Sequence, residues 1–325
     1  KIRVECVSDN EVFKLKMLQG KSDMQIRPGL GLRDISMLKQ NENKYNYETL
    51  LYDSGTGTGK CFIFNHNNPD SQKEKLYRNP TFARAVSHAI NRPKIQKMVY
   101  YGQGEKTTGT LSPKSPYFHT EKGKEIYKSW RDLAVEYNPE KAKKLLDEIG
   151  IVDQDGDGWR DLPDGETLEL RIDIQVGSGN TTVDTSEIVK KGWRNVGLKA
   201  KVNPTERANL QNLLKKGEFD IWVYGISEGD PLLYPGGVIP IDTDHFAPLY
   251  GKWNKLKGTG KLNTELDKKP RDRKPPRAKP AEDSSYAKLY DLYKEALVTA
   301  DNQARRELIY DIFNIHIDKG PFFIG

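Results

Sequence analysis

The segment DQDGDGWRDLPD at residues 153–164 places carboxylates at positions 1, 3, 5, 9 and 12 of a loop with glycine at position 6, which is the spacing of a calcium loop. Asp153, Asp155 and Asp157 would supply single oxygens, Trp159 its backbone carbonyl and Asp161 the ninth-position ligand, with Gly158 making the sharp turn. Asp164 stands where a longer Glu normally gives bidentate ligation, and a strand follows instead of an exiting helix. The alternative is an Asp/Gly turn whose carboxylates bond nearby amides. Ca²⁺ is the cofactor this loop puts forward, and no other is required.

Other patterns with chemical potential are weaker. SGTGTGKC at residues 54–61 resembles a phosphate loop, but its first glycine position is Ser54, its closing hydroxyl position is Cys61, and it precedes a strand. A turn is expected there. His66, His88, His119, His245 and His316 are scattered without a metal or catalytic spacing, and Asp242 and Asp244 beside His245 are expected in a solvated loop. Cys6 and Cys61 make no C-x-x-C pair; each lies in an apolar run and is expected to be a small buried hydrophobe, one bridge between them remaining open.

Aromatic side chains point to binding. Trp222 and Tyr224 alternate in FDIWVYGI, so both project from one face of that strand, and Tyr234, Tyr250 and Trp253 follow. Flat rings cover sugar faces or peptide side chains, while Glu228 and Asp230 could accept hydrogen bonds. Core packing is the competing role for Trp222, and Trp253 lies in a polar stretch expected to be a loop.

The elements that must position these residues alternate. IRVECV, NYETLLY and CFIFN read as strands, and residues 10–19 as a helix. Asn79 caps a helix that Pro80 opens, and Asn138 with Pro139 opens another that closes at Gly150. From Leu168 the order is strand (LELRIDIQV), helix (186–195), strand (LKAKVN), helix (206–215) and strand (FDIWVYGI). That order implies parallel β-α-β units and an α/β fold, a mixed, largely parallel sheet covered by helices, with ligands gathering beyond the carboxyl ends of the strands. Two helices near 286–299 and 302–317 close the chain.

Composition bounds the function. The 325 residues are 36% hydrophobic and 10% aromatic, with no apolar run long enough to span a membrane. Of 52 basic and 46 acidic residues, seven and one fall in KKPRDRKPPRAKP at 268–280, which leaves 45 of each elsewhere. Basic residues confined to one Pro-rich stretch, expected to protrude as a loop, do not make a nucleic-acid surface. The neutral remainder fits an uncharged or zwitterionic solute. The first residues show no signal-type segment, so a processed chain or a fragment is expected.

Several segments together resemble the extracytoplasmic solute-binding proteins of ABC importers, in the oligopeptide/dipeptide-type family 5. They are LQGKSDM, then FIFNHNNPDSQKEKLYRNPTFARAVSHAINRPKIQKMVYYGQGE, YNPEKAKKLLDEIG and DQDGDGWRD, with FDIWVYGISEGDP matching more loosely. The resemblance implies a periplasmic-binding-protein-like fold of two lobes joined by crossing strands. Residues 1–50 would be a remnant of lobe one with the first crossover, 51–320 lobe two, and 321–325 the start of the return crossover. FIFN and GPFFIG would be the two crossings. It implies a non-enzymatic, monomeric receptor in the periplasm or lipid-anchored at the cell surface, binding an oligopeptide or oligosaccharide and docking on a membrane permease. Asn65, Trp222, Tyr224, Glu228, Asp230, Tyr234 and Trp253 are the ligand candidates. Peptide binders of the family carry a Trp-x-x-Asp run after the equivalent of FDIWVYG; here Gly225 is followed by Ile226, Ser227, Glu228, Gly229 and Asp230, so Glu228 or Asp230 would take that place. The competing classes are a glycoside hydrolase using Glu228 and Asp230, and a calcium-stabilised interaction module.

Overall fold

A computed structural model of the chain describes residues 2–24, 30–177, 180–226, 229–241 and 245–325. The chain forms two units, residues 1–54 with 96–104, and residues 55–95 with 105–325. In the smaller unit α1 (Asn10–Leu18) is capped by Asp9, whose carboxylate accepts from the Val12 amide at 2.8 Å, and α2 (Ile35–Tyr45) ends on Asn46 in the left-handed region at φ 54°. A buried ion pair, Lys14 to Asp34 at 3.0 Å, ties the two helices' surroundings. IRVECV and NYETLLY are not strands: neither finds a ladder partner among the described residues, and Ile2, Val4, Leu50, Leu51 and Tyr52 are exposed. Cys6 is therefore exposed, contrary to its expected burial, and both cysteines are free thiols.

The larger unit runs β1 (Cys61–Phe64), α3 (Ser71–Tyr77), α4 (Pro80–His88), the start of α5 (Arg92–Met98), which the unit boundary after Ile95 divides, then α6 (Glu121–Arg131), α7 (Pro139–Glu148), β2 (Glu169–Gln175), α8 (Asn180–Arg194), β3 (Lys199–Thr205), α9 (Arg207–Lys216), β4 (Ile221–Tyr224), α10 (Pro248–Lys255), α11 (Ser285–Val298) and α12 (Asn302–Lys319). The sheet order is β1-β4-β2-β3. β4, β2 and β3 are parallel, as the β-α-β pattern requires, and β1 pairs antiparallel with β4, Cys61 opposite Tyr224 and Phe64 opposite Ile221. The mixed α/β sheet expected from the sequence is present. The proline-opened helices form as read: Asn79 accepts from the Thr81 amide, Asn138 accepts from the Lys141 amide, and Gly150 follows α7 at φ 75°.

Period-two alternation on β1 and β4 separates two cores. Phe62, Phe64, Ile221 and Val223 face the core built with α4, α7 and α8, whereas Cys61, Ile63 and Trp222 face the core built with α6, α11 and α12. On the first side Phe64 meets Tyr77 and Phe82 edge-on at 4.9 and 5.8 Å, and Phe62 meets Trp193 at 5.6 Å. Gly192 allows α8 to approach this closely, since a Cβ there would lie 2.2 Å from the Ala89 carbonyl oxygen; the approach lets the Trp193 indole donate to the Val86 carbonyl at 3.0 Å. On the second side His66 and His316 are buried among Phe246, Phe322 and Tyr286.

The basic segment 268–280 does not protrude as expected. Arg277 is 0% exposed, donating to the carbonyls of Leu262 at 3.1 Å, Pro275 at 2.9 Å and Thr264. Arg271 donates to the carbonyls of Lys216, Gly217 and Asn67, two of them at the negative end of α9. Guanidinium groups here satisfy carbonyls of an irregular chain that water would otherwise have to reach.

Candidate functional site

The carboxyl end of β4 is where the candidate residues gather. Tyr224 ends the strand opposite Cys61, the first residue of β1, so the segment entering β1 and the segment leaving β4 share one edge. Ile226 donates its amide to the Thr58 carbonyl at 2.8 Å, and Thr58 in turn donates its amide to the Thr110 carbonyl at 3.0 Å. Gly57 is needed for that crossing, because a Cβ would lie 2.4 Å from the Ile226 oxygen and 2.5 Å from the Thr110 oxygen. This crowding is the role of the glycine-rich stretch that imitates a phosphate loop.

The C-terminal segment lies on the same edge. Ile324 exchanges backbone hydrogen bonds with Phe62 at 2.8 and 3.2 Å, and Gly325 lies against Thr58 and Lys60. Arg92, buried and without an acidic partner among the described residues, ties the C-terminal residue to α4 and to the turn after α6. Its guanidinium donates to the carbonyls of Gly325 at 2.6 Å, Ser87 at 2.9 Å and Val135 at 3.1 Å, and to the Ser87 hydroxyl at 2.8 Å. Burial pulls the Arg92 pKa down to about 9.

On this edge the Trp222 and Tyr224 rings stack, 4.7 Å apart and 19° from parallel, as their alternate positions required. Trp222 belongs to the core, while Tyr224 is 48% exposed. Beyond the strand a Cβ at Gly229 would lie 3.8 Å from Ser112, on the segment that follows Thr110. Asp230, half-buried, accepts from the Leu232 amide at 2.8 Å, and its charge, after burial, helps raise the pKa of Tyr117. Tyr234 donates its amide to the Asp230 carbonyl and is 63% exposed. Trp222, Tyr224, Asp230 and Tyr234 thus lie on or follow the carboxyl end of β4. Glu228, like Asp242 and Asp244, lies outside the described residues.

Two candidates are elsewhere. Asn65 follows β1 at the opposite end of the sheet, is fully buried, and donates its amide to the carbonyls of Gly217 and Phe219 at 2.8 Å each while accepting from Asn67. That side chain holds the turn into β4 and has no surface for a solute. Trp253 sits on α10, not in a loop, and that helix begins at Pro248 against Gly217, at the same far end. Sequence reasoning also passed over Asp220, which at this far end accepts from Tyr77, Asn68, Lys73 and the Arg171 amide. Its only sequence signal was an acid inside an otherwise apolar strand run.

Of the five residues proposed for a metal, Asp153, Asp155 and Asp161 bring carboxylate oxygens within 4.8 Å of one another. Asp157 is outside that group and accepts from the Trp159 amide at 2.8 Å. Asp164, at position 12, is directed away, to the Glu166 amide and the Gln72 side chain. Three of the scattered histidines have protein partners: His66 is bonded to the Tyr286 hydroxyl, His88 to the Glu136 carbonyl and His316 to the Val238 carbonyl.

Residues 1–235 match the profile described as bacterial extracellular solute-binding proteins, family 5 middle. The chain belongs to this family. A probable ABC transporter-binding protein of Deinococcus radiodurans is 25% identical over 191 residues, 56% of this chain and 30% of that protein. The solved structure of an oligopeptide-binding protein, OppA, superposes with a TM-score of 0.74 at 27% identity, covering 98% of this chain and 49% of the other. The periplasmic binding protein MelB of Agrobacterium fabrum, solved with stachyose, shares the fold at a TM-score of 0.69 and 18% identity, covering 98% of this chain and 44% of the other. The chain therefore spans about half the length of these solved relatives. Family 5 members are extracytoplasmic binders, and among the described residues no helix is long and apolar enough to cross a membrane.

Proposed function

We propose that the chain is the second-lobe part of the substrate-binding component of an ABC importer, taking an oligopeptide or an oligosaccharide and handing it to a membrane permease without turnover. The observation that carries this reading is the Trp222–Tyr224 stack at the carboxyl end of β4, beside the segment that leads into β1 and the C-terminal segment paired with it. An open ring backed by a buried one offers a flat apolar face to a sugar or side chain, and the backing ring fixes its orientation before binding. Asp230 and the exposed Tyr234 beyond it supply polar groups. OppA is named for oligopeptides and MelB was solved with stachyose, so both solute classes belong in the test. The protein would act as a monomer, in a periplasm or at a cell surface.

The test is a thermal-shift and calorimetry panel of short peptides and β-linked oligosaccharides against the full chain. A bound solute stabilises by RT ln(1 + [L]/Kd), so a solute at one hundred times its Kd adds about 2.7 kcal/mol. Saturable binding without product formation supports the proposal. Hydrolysis of an oligosaccharide on prolonged incubation, or silence across both panels, would count against it.

A further inference from the structure

The acidic loop between α7 and β2 has a property that a solvated turn does not require. Asp161 is 1% exposed, and only one of its oxygens has a protein partner: Oδ2 accepts from the Gln154 amide at 2.8 Å, while Oδ1 is buried with no hydrogen-bond donor. Among the described residues no cation pairs with it. The nearby Arg160 guanidinium is directed to Asp147 at 2.6 Å and to the Val196 carbonyl at 2.7 Å. A buried carboxylate oxygen without a donor costs on the order of 1–3 kcal/mol, more when charged, so such groups normally mark a missing partner.

The partner's chemistry is set by the surroundings. The carboxylates of Asp153, Asp155 and Asp161 lie within 4.8 Å of one another, and ligands on opposite sides of a calcium ion with bonds of about 2.4 Å are about 4.8 Å apart. Three carboxylates and no imidazole or thiolate suit a hard cation that prefers oxygen. Asp153 and Asp155 are exposed, which leaves the ion a route in from solvent, while Asp161 forms the buried floor.

From this geometry we infer a calcium site in which Asp153, Asp155 and Asp161 are the carboxylate ligands. It differs from the spacing-based expectation in two ways: Asp157 lies outside the group whose carboxylate oxygens come within 4.8 Å of one another, and position 12 takes no part. Asp153 and Asp155 also accept loop amides, as the turn reading expected, and would keep lone pairs for the ion. The ion's effect would be structural. The loop is closed where the Asp161 amide donates to the Val152 carbonyl at 2.9 Å, and Asp161 bridges to Thr167, two residues before β2. Calcium would neutralise the buried floor and fix the approach to the sheet. A dissociation constant of about 0.1–1 mM, the range of extracellular modules, is expected for so few ligands.

The test uses the full chain freed of metal with a chelator, in the absence of any solute, so it is independent of the solute reading. Calcium at 10 mM should raise the melting temperature by several degrees, and Tb³⁺ should show emission sensitised by Trp159 within the loop. Asp155→Asn keeps an acceptor for the Asp157 amide at an exposed position, so it folds, and it should abolish both signals. An unchanged melting temperature together with no sensitised emission would overturn the site. So would a calcium response that survives Asp155→Asn, or an equal response to Mg²⁺.

Discussion

The Trp222 and Tyr224 rings lie 4.7 Å apart and nearly parallel, yet one is core and the other is half open to solvent. Strand alternation puts them on one face, and the end of β4 decides where burial stops. The inner ring is held by Cys61, Ile63 and the helices beyond, so the outer one is presented on a rigid support.

This arrangement separates affinity from stability. Tyr224→Ala should weaken the solute found in the binding panel by up to about tenfold, the equivalent of about 0.5–1.5 kcal/mol of stacking, with little change in melting temperature. Tyr224→Phe should bind like the parent. Trp222→Ala should instead lower stability by about 3–5 kcal/mol, measured by urea unfolding. A Tyr224→Ala variant that binds normally would remove the ring from the site.

Arg277 makes the Pro-rich segment part of the fold. Replacing it by Met leaves the carbonyls of Leu262, Thr264 and Pro275 without their donor, and the expected loss is about 3 kcal/mol or more. Arg277→Met should therefore shift the urea midpoint clearly, and deletion of residues 268–280 should shift it further by also removing Arg271 from the end of α9. Unchanged midpoints would return the segment to the surface.

The parallel β2-α8-β3-α9-β4 run was legible because its period changes from two to 3.6 and back at each boundary. The Asn-Pro openings of α4 and α7 were legible because cap and first-turn chemistry are local. Helix α10 was not: PLYGKWNK is short and carries a central glycine, so its helicity comes from packing on α9 and Gly217. Helix α6 hides behind Gly123, which a sequence scan scores as a breaker, although its spacing lets the helix meet the backbone at Tyr117. Asn65 and Arg277 share a deeper reason. Their partners are carbonyl oxygens, which every residue has, so nothing in the sequence separates a buried amide or guanidinium from a ligand contact or a solvated charge. The Trp222–Tyr224 pair was legible because alternation alone places it, whereas the position of Trp253 depended on a helix that had no local signal.

Asp220 anchors the far end of the sheet with four donors: the Tyr77 hydroxyl at 2.7 Å, the Asn68 amide at 2.9 Å, the Arg171 backbone amide at 2.9 Å and the Lys73 ammonium at 3.1 Å. Asp220→Asn would turn an amide hydrogen toward donors and strand a half-buried lysine. The expected cost is about 3–5 kcal/mol. Urea unfolding checks it, and Lys73→Met in the Asp220→Asn background should recover part of the loss if the unpaired ammonium is its cause.

Three histidines are buried, His66, His88 and His316, and burial holds all three below their ordinary pKa; His66 and His316 are shifted furthest and dominate how stability varies with pH. Burial, with a smaller push from the Arg78 charge, lowers the His66 pKa from 6.5 to about 3. Burial also lowers that of His316 to about 4 against the opposing bond to the Val238 carbonyl. Both are therefore neutral in the fold at pH 5, while in the unfolded chain both are protonated below about pH 6.5. The unfolded state binds the extra protons, so this contribution is complete above pH 6.5 and is lost as pH falls from there toward 4 and 3. Between pH 7 and pH 5 each histidine should remove about 2 kcal/mol, or about 4 kcal/mol together. Urea midpoints followed over that interval should fall steadily, and replacing His66 by Phe should remove about 2 kcal/mol of that fall. The variant leaves the buried Tyr286 hydroxyl without its imidazole partner, a cost on the order of 1–3 kcal/mol that is the same at both pH values and so does not alter the slope. A stability that does not change between pH 7 and 5 would show that one or both rings accept a proton in the folded state.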